Sequence, residues 1–190
     1  MKRTISPALI LAAVALLPLA AGCTNKQGET ESPVYMTTNL VTGAPQSLTF
    51  NIAPDVPLQL NTMVVTSHGK SPSVTDPQGF QTIELQTYVV HYTRLDGGTK
   101  VPPDATFAVG GTIPLNGSIT LSNYPVMTPA AVQESPFDQL LPFNGGIDSE
   151  TGQPTIHLGV TVTFYGETVA GTRVKSDPAT LGIFVLFSAA

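Results

Sequence analysis

The chain has 190 residues, of which 42% are hydrophobic and 11% charged, with eight Lys and Arg against thirteen Asp and Glu for a net charge of −5. That acidic balance excludes nucleic acid as a partner, because phosphate recognition needs a basic patch, and it predicts repulsion from anionic lipid head groups. A single Cys excludes a disulfide within the chain.

From the amino terminus, Lys2 and Arg3 precede an uncharged run from Ile5 to Leu19, the layout of a secretory signal peptide. The run is shorter than the roughly 20 residues a membrane-crossing helix needs, and Pro7 and Pro18 lie within it. Residues 1–22 therefore read as a cleaved signal segment. The run ends in "LAAGC", Leu19 to Cys23, which resembles the lipobox of bacterial lipoproteins, although Ala20 stands where that motif usually has Leu. The resemblance implies cleavage before Cys23, diacylglycerol on its thiol and an amide-linked acyl chain such as palmitate, which together anchor the protein in a membrane. The competing reading is a secreted protein with Cys23 as a free thiol. A lone thiol in an oxidising compartment invites intermolecular pairing, and lipidation removes that liability. More than one acyl chain is needed for stable anchoring. Thr24 follows the cysteine, where an aspartate would imply inner-membrane retention, so the resemblance implies sorting to the cell outer membrane.

From Thr24 to Pro33, "TNKQGETESP" has nothing apolar to bury and reads as a flexible tether. Tyr35 to Pro45 either extends it or packs as an irregular lead-in. The domain boundary is placed at residue 47, leaving residues 23–46 as lipidated cysteine and tether and 47–190 as one domain.

Runs rich in Thr, Val, Ile, Phe and Tyr then alternate with Gly, Pro, Asn and Asp clusters, the pattern of an all-β sandwich or barrel. Seven strands are predicted: Ser47 to Ile52, Leu58 to Ser67, Thr82 to Arg94, Thr106 to Ile113, Ser118 to Tyr124, Thr155 to Glu167, and Thr172 to Phe187 broken near Asp177 and Pro178. Seven antiparallel strands suit an immunoglobulin-like β-sandwich. In "TIHLGVTVTFYG", Ile156, Leu158, Val160, Val162 and Phe164 fall on one face. In "TIELQTYVVHYTR" the apolar series jumps from Ile83 and Leu85 to Tyr88, Val90 and Tyr92, which predicts a β-bulge near Gln86 and Thr87 and an outward His91. The run "IFVLF" suits a strand buried on both faces or one that serves an interface. In "ESPFDQLL", Ser135 reads as an N-cap, Pro136 as the first helical residue and Asp138 as a favourable first-turn charge.

The segments "LQTYVVHYTRLDGG" and "VTVTFYGETVAGTRV" resemble exported bacterial lipoproteins with a single immunoglobulin-like or fibronectin-like domain. The first supplies a "YxVxY" strand, Tyr88, Val90 and Tyr92, followed by Asp96 and Gly97; the second supplies Phe164, Tyr165, Gly166 and Gly171. The resemblance spans about Thr82 to Phe187. It implies fold and location, and the group is functionally uncharacterised.

For chemistry, His68, His91 and His157 lack the spacing that presents two metal ligands together, and each reads as a surface residue, His68 in a "SHGK" turn. A metal pair would need His91 and His157 to converge across neighbouring strands. "NGSI", Asn116 to Ile119, is the nearest approach to a serine-nucleophile turn and reads as a hairpin turn. Asp148 and Glu150 lie in "NGGIDSETGQP", read as a solvated loop without walls to raise either pKa; such a loop suits at most a weak Ca²⁺. With no Trp in the chain, Tyr124 and Tyr165 are the only candidate sugar platforms, and packing is the expected role of both. The expectation is therefore a non-catalytic structural or interaction module of the envelope, without cofactor, with the membrane and an envelope protein as partners. The alternative is a small hydrolase or carbohydrate-binding protein. Convergent polar groups in the loops Asp96 to Asp104 and Asn144 to Pro154 would favour a ligand site, and a flat surface would favour protein contact.

Overall fold

Alternation of apolar and polar residues predicts strands over most of the chain, and strands form. The computed structural model describes residues 32–40, 47–52 and 56–187, all within one compact unit that begins at Ser32. The signal segment, Cys23 and the tether through Glu31 lie outside the described residues. The strands are β1 (Val34–Leu40), β2 (Ser47–Asn51), β3 (Leu58–Gly69), β4 (Ile83–Arg94), β5 (Ala105–Ala108), β6 (Thr112–Ile113), β7 (Ser118–Met127), β8 (Thr155–Thr168), β9 (Arg173–Lys175) and β10 (Ala179–Leu186).

The protein is an all-β sandwich. One sheet has the order β1-β3-β7 and the other β2-β10-β8-β4-β5, with β6 paired to β4 and β9 to β8. This is the immunoglobulin-like arrangement, with the amino-terminal segment shared between the sheets: β1 lies antiparallel to β3, and β2 lies parallel to β10. That parallel pair departs from the expected all-antiparallel sandwich, because a chain that crosses from one sheet to the other without reversing meets β10 in the same direction.

Three expectations need correction. Residues 34–40, assigned to the tether, form β1, with Val34 1% and Met36 0% exposed. Two apolar residues at period two suffice to dock the strand, and they were masked by the polar "TTN" that follows. The expected strand Thr106 to Ile113 is divided into β5 and β6 by Val109–Gly111, Gly111 having a φ of 147°. The expected helix start at Ser135 is also displaced. The helix, α1, spans Pro129–Gln133, with the Thr128 hydroxyl accepting from the Ala131 N–H, and only a single 3-10 turn, Asp138–Leu140, falls where "ESPFDQLL" suggested one. Phe137 and Leu140, both buried, hold that turn to the core.

The register of β4 is as expected. Its pairing with β8 shifts between Leu85 and Thr87, leaving Gln86 as the bulged residue. Ile83, Leu85, Tyr88, Val90 and Tyr92 are all buried, and His91 is exposed. On β8, Ile156, Leu158, Val160, Val162 and Phe164 are fully buried. The two tyrosines of β4 tie the sheets together: the Tyr88 hydroxyl donates to the Pro125 carbonyl at 2.6 Å, and the Tyr92 hydroxyl donates to the Val126 carbonyl, both on β7. Burial pushes both phenols well above their ordinary range, so they remain donors. On β10, Ile183 and Val185 are buried while Phe184 is half-buried, so one face of "IFVLF" is core.

The sandwich has two ends. At the near end, Val34 pairs with Gly69 and the Lys70 N–H donates to the Pro33 carbonyl at 2.9 Å, so the chain enters here. The loop Lys70–Thr82 and the turn Val169–Thr172 share this end, joined by the Val169 N–H to the Thr82 carbonyl at 2.9 Å. At the far end lie the loop Leu95–Asp104 and the connection Thr128–Pro154.

Candidate functional site

Arg94 ends β4 at the far end, and its aliphatic stem is covered so that only 2% of the side chain is exposed. A buried guanidinium needs partners, and three carboxylates supply them. Nε donates to Asp96 Oδ1 at 2.7 Å, and Nη2 donates to Asp96 Oδ2 at 3.0 Å and to Asp148 Oδ2 at 2.7 Å. Nη1 lies 3.6 Å from Glu150 Oε2 and donates to the Lys100 carbonyl at 3.2 Å. The planar fork of Arg suits this bridging in a way a lysine ammonium does not.

Each carboxylate is further occupied. Asp148, fully buried, accepts from the Gln139 amide at 2.9 Å and the Thr151 hydroxyl at 2.7 Å. Asp96 accepts from the His157 N–H at 2.8 Å and the Gly98 N–H at 3.2 Å. Glu150 accepts from the N–H groups of Thr99 and Lys100, both at 2.9 Å, and from the Thr99 hydroxyl at 2.5 Å. Burial alone would raise the Asp96 pKa, but Arg94 and the two N–H donors outweigh it and hold it at about 2. The Lys100 N–H, then the Thr99 hydroxyl and N–H, hold Glu150 at about 2. Asp148 is likewise lowered: burial opposes ionisation, and Thr151 and Arg94 overcome it.

The reading of a solvated loop is overturned for Asp148, which is fully buried, and holds for exposed Glu150; neither pKa is raised, as expected. The loops Asp96–Asp104 and Asn144–Pro154 do converge, but on one another. Their charged groups form a clasp around Arg94, and the oxygens a Ca²⁺ would take are committed to N–H and O–H donors. Neither carboxylate is poised as a general acid, since both are held ionised.

A second feature lies on the outer face of the larger sheet, nearer the other end. The bulge sets Gln86 and Thr87 together against Tyr165, two residues opposing one. With Tyr165, Gly166, Arg173, Val174 and Lys175 they line a groove of about 460 Å³, within the size range of small-ligand sites. Lys175 sits opposite Tyr165 in the β8–β9 ladder, its ammonium 5.9 Å from the ring centroid. Arg173 and Lys175 are exposed, and together they form a local cationic pair on an acidic chain.

The histidines stay apart. His91 pairs with Thr161 in the ladder, whereas His157 lies four residues back along β8, about 13 Å away, and stacks on Phe184 with ring centroids 4.0 Å apart. His91 Nδ1 makes an exposed contact with Asp104 at 2.7 Å. His68 is in β3, not a turn, stacked on Tyr35 and 3.0 Å from the Thr37 hydroxyl. "NGSI" is not a hairpin: Asn116, at φ 57°, turns the chain from β6 in one sheet to β7 in the other. Tyr124 packs edge-on against Tyr88. Cys23 is outside the described residues. Compared with known proteins, the chain matches no family model and no curated sequence.

Proposed function

We propose that the protein is a lipoprotein of the cell envelope, anchored through acylated Cys23 and sorted to the outer membrane, whose sandwich is a non-catalytic structural or protein-interaction module. The carrying observation is the sole cysteine of the chain standing directly after "LAAG" at the close of a signal-like run. The likeness to exported single-domain lipoproteins belongs to the same proposal. The clasp supports the non-catalytic part: the polar groups where a ligand site was most expected are spent on one another. A small-ligand reading, sugar-binding included, draws its support from the groove beside Tyr165.

Mass spectrometry of the purified protein should find an acylated amino terminus at Cys23, and Cys23→Ser should release the protein from the membrane fraction. An unmodified thiol with the protein free in the medium would overturn the anchor.

A further inference from the structure

We propose that the near end of the sandwich is a phospholipid-docking surface, in which Phe80 and Val169 enter the membrane interface and Arg173 and Lys175 meet lipid phosphates. The proposal rests on the lipid-anchor reading and adds to it an orientation and a second membrane contact.

The first argument is where the chain enters. The folded unit begins at Ser32, at the near end. From Cys23 to Ser32 a fully extended chain reaches roughly 30 Å, and a flexible one spans on average about 15–18 Å. From Gly69 back to Leu58, β3 runs about 37 Å to the far end. An anchor at Cys23 therefore brings the near end to the bilayer readily, whereas the far end would require a tether stretched beyond its length.

The second argument is what the near end carries. Phe80 and Val169 are each 51% exposed and lie in adjoining turns, since the Ala170 N–H donates to the Phe80 carbonyl at 3.0 Å. Arg173 begins β9 immediately after the turn, opposite Glu167 and three residues along the chain from Ala170, the residue bonded to Phe80. Apolar tips flanked by cations are the combination that holds a peripheral surface at a lipid interface.

The third argument is charge. The sequence as a whole predicts repulsion from anionic head groups, but the fold separates its charges. Asp96, Asp104 and the four acids of the connection Thr128–Pro154 gather at the far end against Arg94 and Lys100 alone. At the near end Lys70, Arg173 and Lys175 face Asp76, Glu84, Glu167 and Asp177, a smaller acidic excess. The far end also exposes apolar residues, Phe143 and Ile147 among them, but it is the acidic end and the one remote from the chain's entry.

The chain has no Trp, so Phe80→Trp and Phe143→Trp each create a unique fluorophore, one per end. The full lipidated proteins are inserted into vesicles of phosphatidylethanolamine and phosphatidylglycerol with brominated acyl chains, and membrane association is verified by flotation. The expected result is blue-shifted, bromolipid-quenched emission from the Phe80→Trp protein and unquenched, solvent-like emission from the Phe143→Trp protein. Adding Arg173→Ala and Lys175→Ala to Phe80→Trp should lower the docked-to-undocked ratio on the order of 30-fold. A protein that floats while its Phe80→Trp reporter stays unquenched overturns docking alone. Quenching of the Phe143→Trp protein overturns the orientation, and quenching indifferent to loss of both cations overturns the phosphate contact. A protein that fails to float has no anchor, and the proposal falls with that reading.

Discussion

Replacing Arg94 by Met tests the clasp at its centre. The substitution keeps most of the buried stem and removes the guanidinium, leaving Asp148, with a side chain 0% exposed, without the cation 2.7 Å away. Removing one partner of a buried pair costs about 3–5 kcal/mol, chiefly because the other charge is stranded, which is a large part of the roughly 5–15 kcal/mol available to a domain. For a domain of this size that corresponds to a fall in Tm of about 6–20 °C. Urea melts followed by circular dichroism measure the loss, and their pH dependence identifies its cause. In the parent protein the unfolded carboxylates take up protons before the depressed ones do, so stability falls as pH drops from about 4, the ordinary carboxylate range, through about 2, where Asp96 titrates. Asp96 alone contributes about 2 kcal/mol to that loss. In the Met variant, Asp148 loses its cation while remaining buried, so its pKa rises and protonation relieves it. The gap between the two proteins should therefore narrow as pH falls below about 5. A penalty under about 1 kcal/mol, or a gap independent of pH, would refute the reasoning.

Tyr92→Ala removes a ring 2% exposed and should cost about 3–5 kcal/mol, whereas His91→Ala, its outward neighbour, should stay within about 1 kcal/mol; denaturant melts that reverse the order would move the bulge. Gly166→Ala would place a Cβ 2.5 Å from the Glu84 carbonyl oxygen, forcing the β4–β8 backbones apart at a cost of about 1–3 kcal/mol or more; an unchanged melt would show that the ladder yields freely there. A chain beginning at Ser47 lacks β1 and should be less stable than one beginning at Ser32 by about 3–6 kcal/mol, the burial of Val34 and Met36; equal stability would make β1 dispensable.

Where one face of a strand is core and the other is not, alternation carried the fold. On β8 five apolar residues at period two fixed the inward face without ambiguity, and on β4 the break in that period located the bulge, because an extra residue is the only way to keep both Leu85 and Tyr88 inward. β1 was illegible because only two of its residues, Val34 and Met36, are needed to dock it, and its remaining side chains are polar. The helix was misplaced because the pair Ser135 and Pro136 has an equal seven residues earlier that the sequence reading passed over. Thr128 with Pro129 and Ser135 with Pro136 are equivalent on paper; the chain uses the first, and Phe137 and Leu140, buried at the far end, hold the segment after the second in a single 3-10 turn.

The clasp was hidden for a different reason. "NGGIDSETGQP" looks solvated because it has one large apolar residue and many polar ones, and that inference treats a loop as though water were its only possible partner. Arg94 supplies the other partner from more than fifty residues away, and sequence separation conceals it. One signal was present: "TRLDGG" puts an arginine at the last position of a strand whose inward neighbours are all apolar, followed by Asp96 two residues on. An arginine at the rim of a core must either turn out to water or find carboxylates, and Asp96 alone, already accepting from the His157 and Gly98 N–H groups, could not satisfy a guanidinium with five donors. A second acid was therefore owed from some other loop at the same end of the sandwich. Among the described residues, the connection that closes that end carries Asp148 and Glu150 in its one glycine-rich turn, which places them where such an arginine would find them.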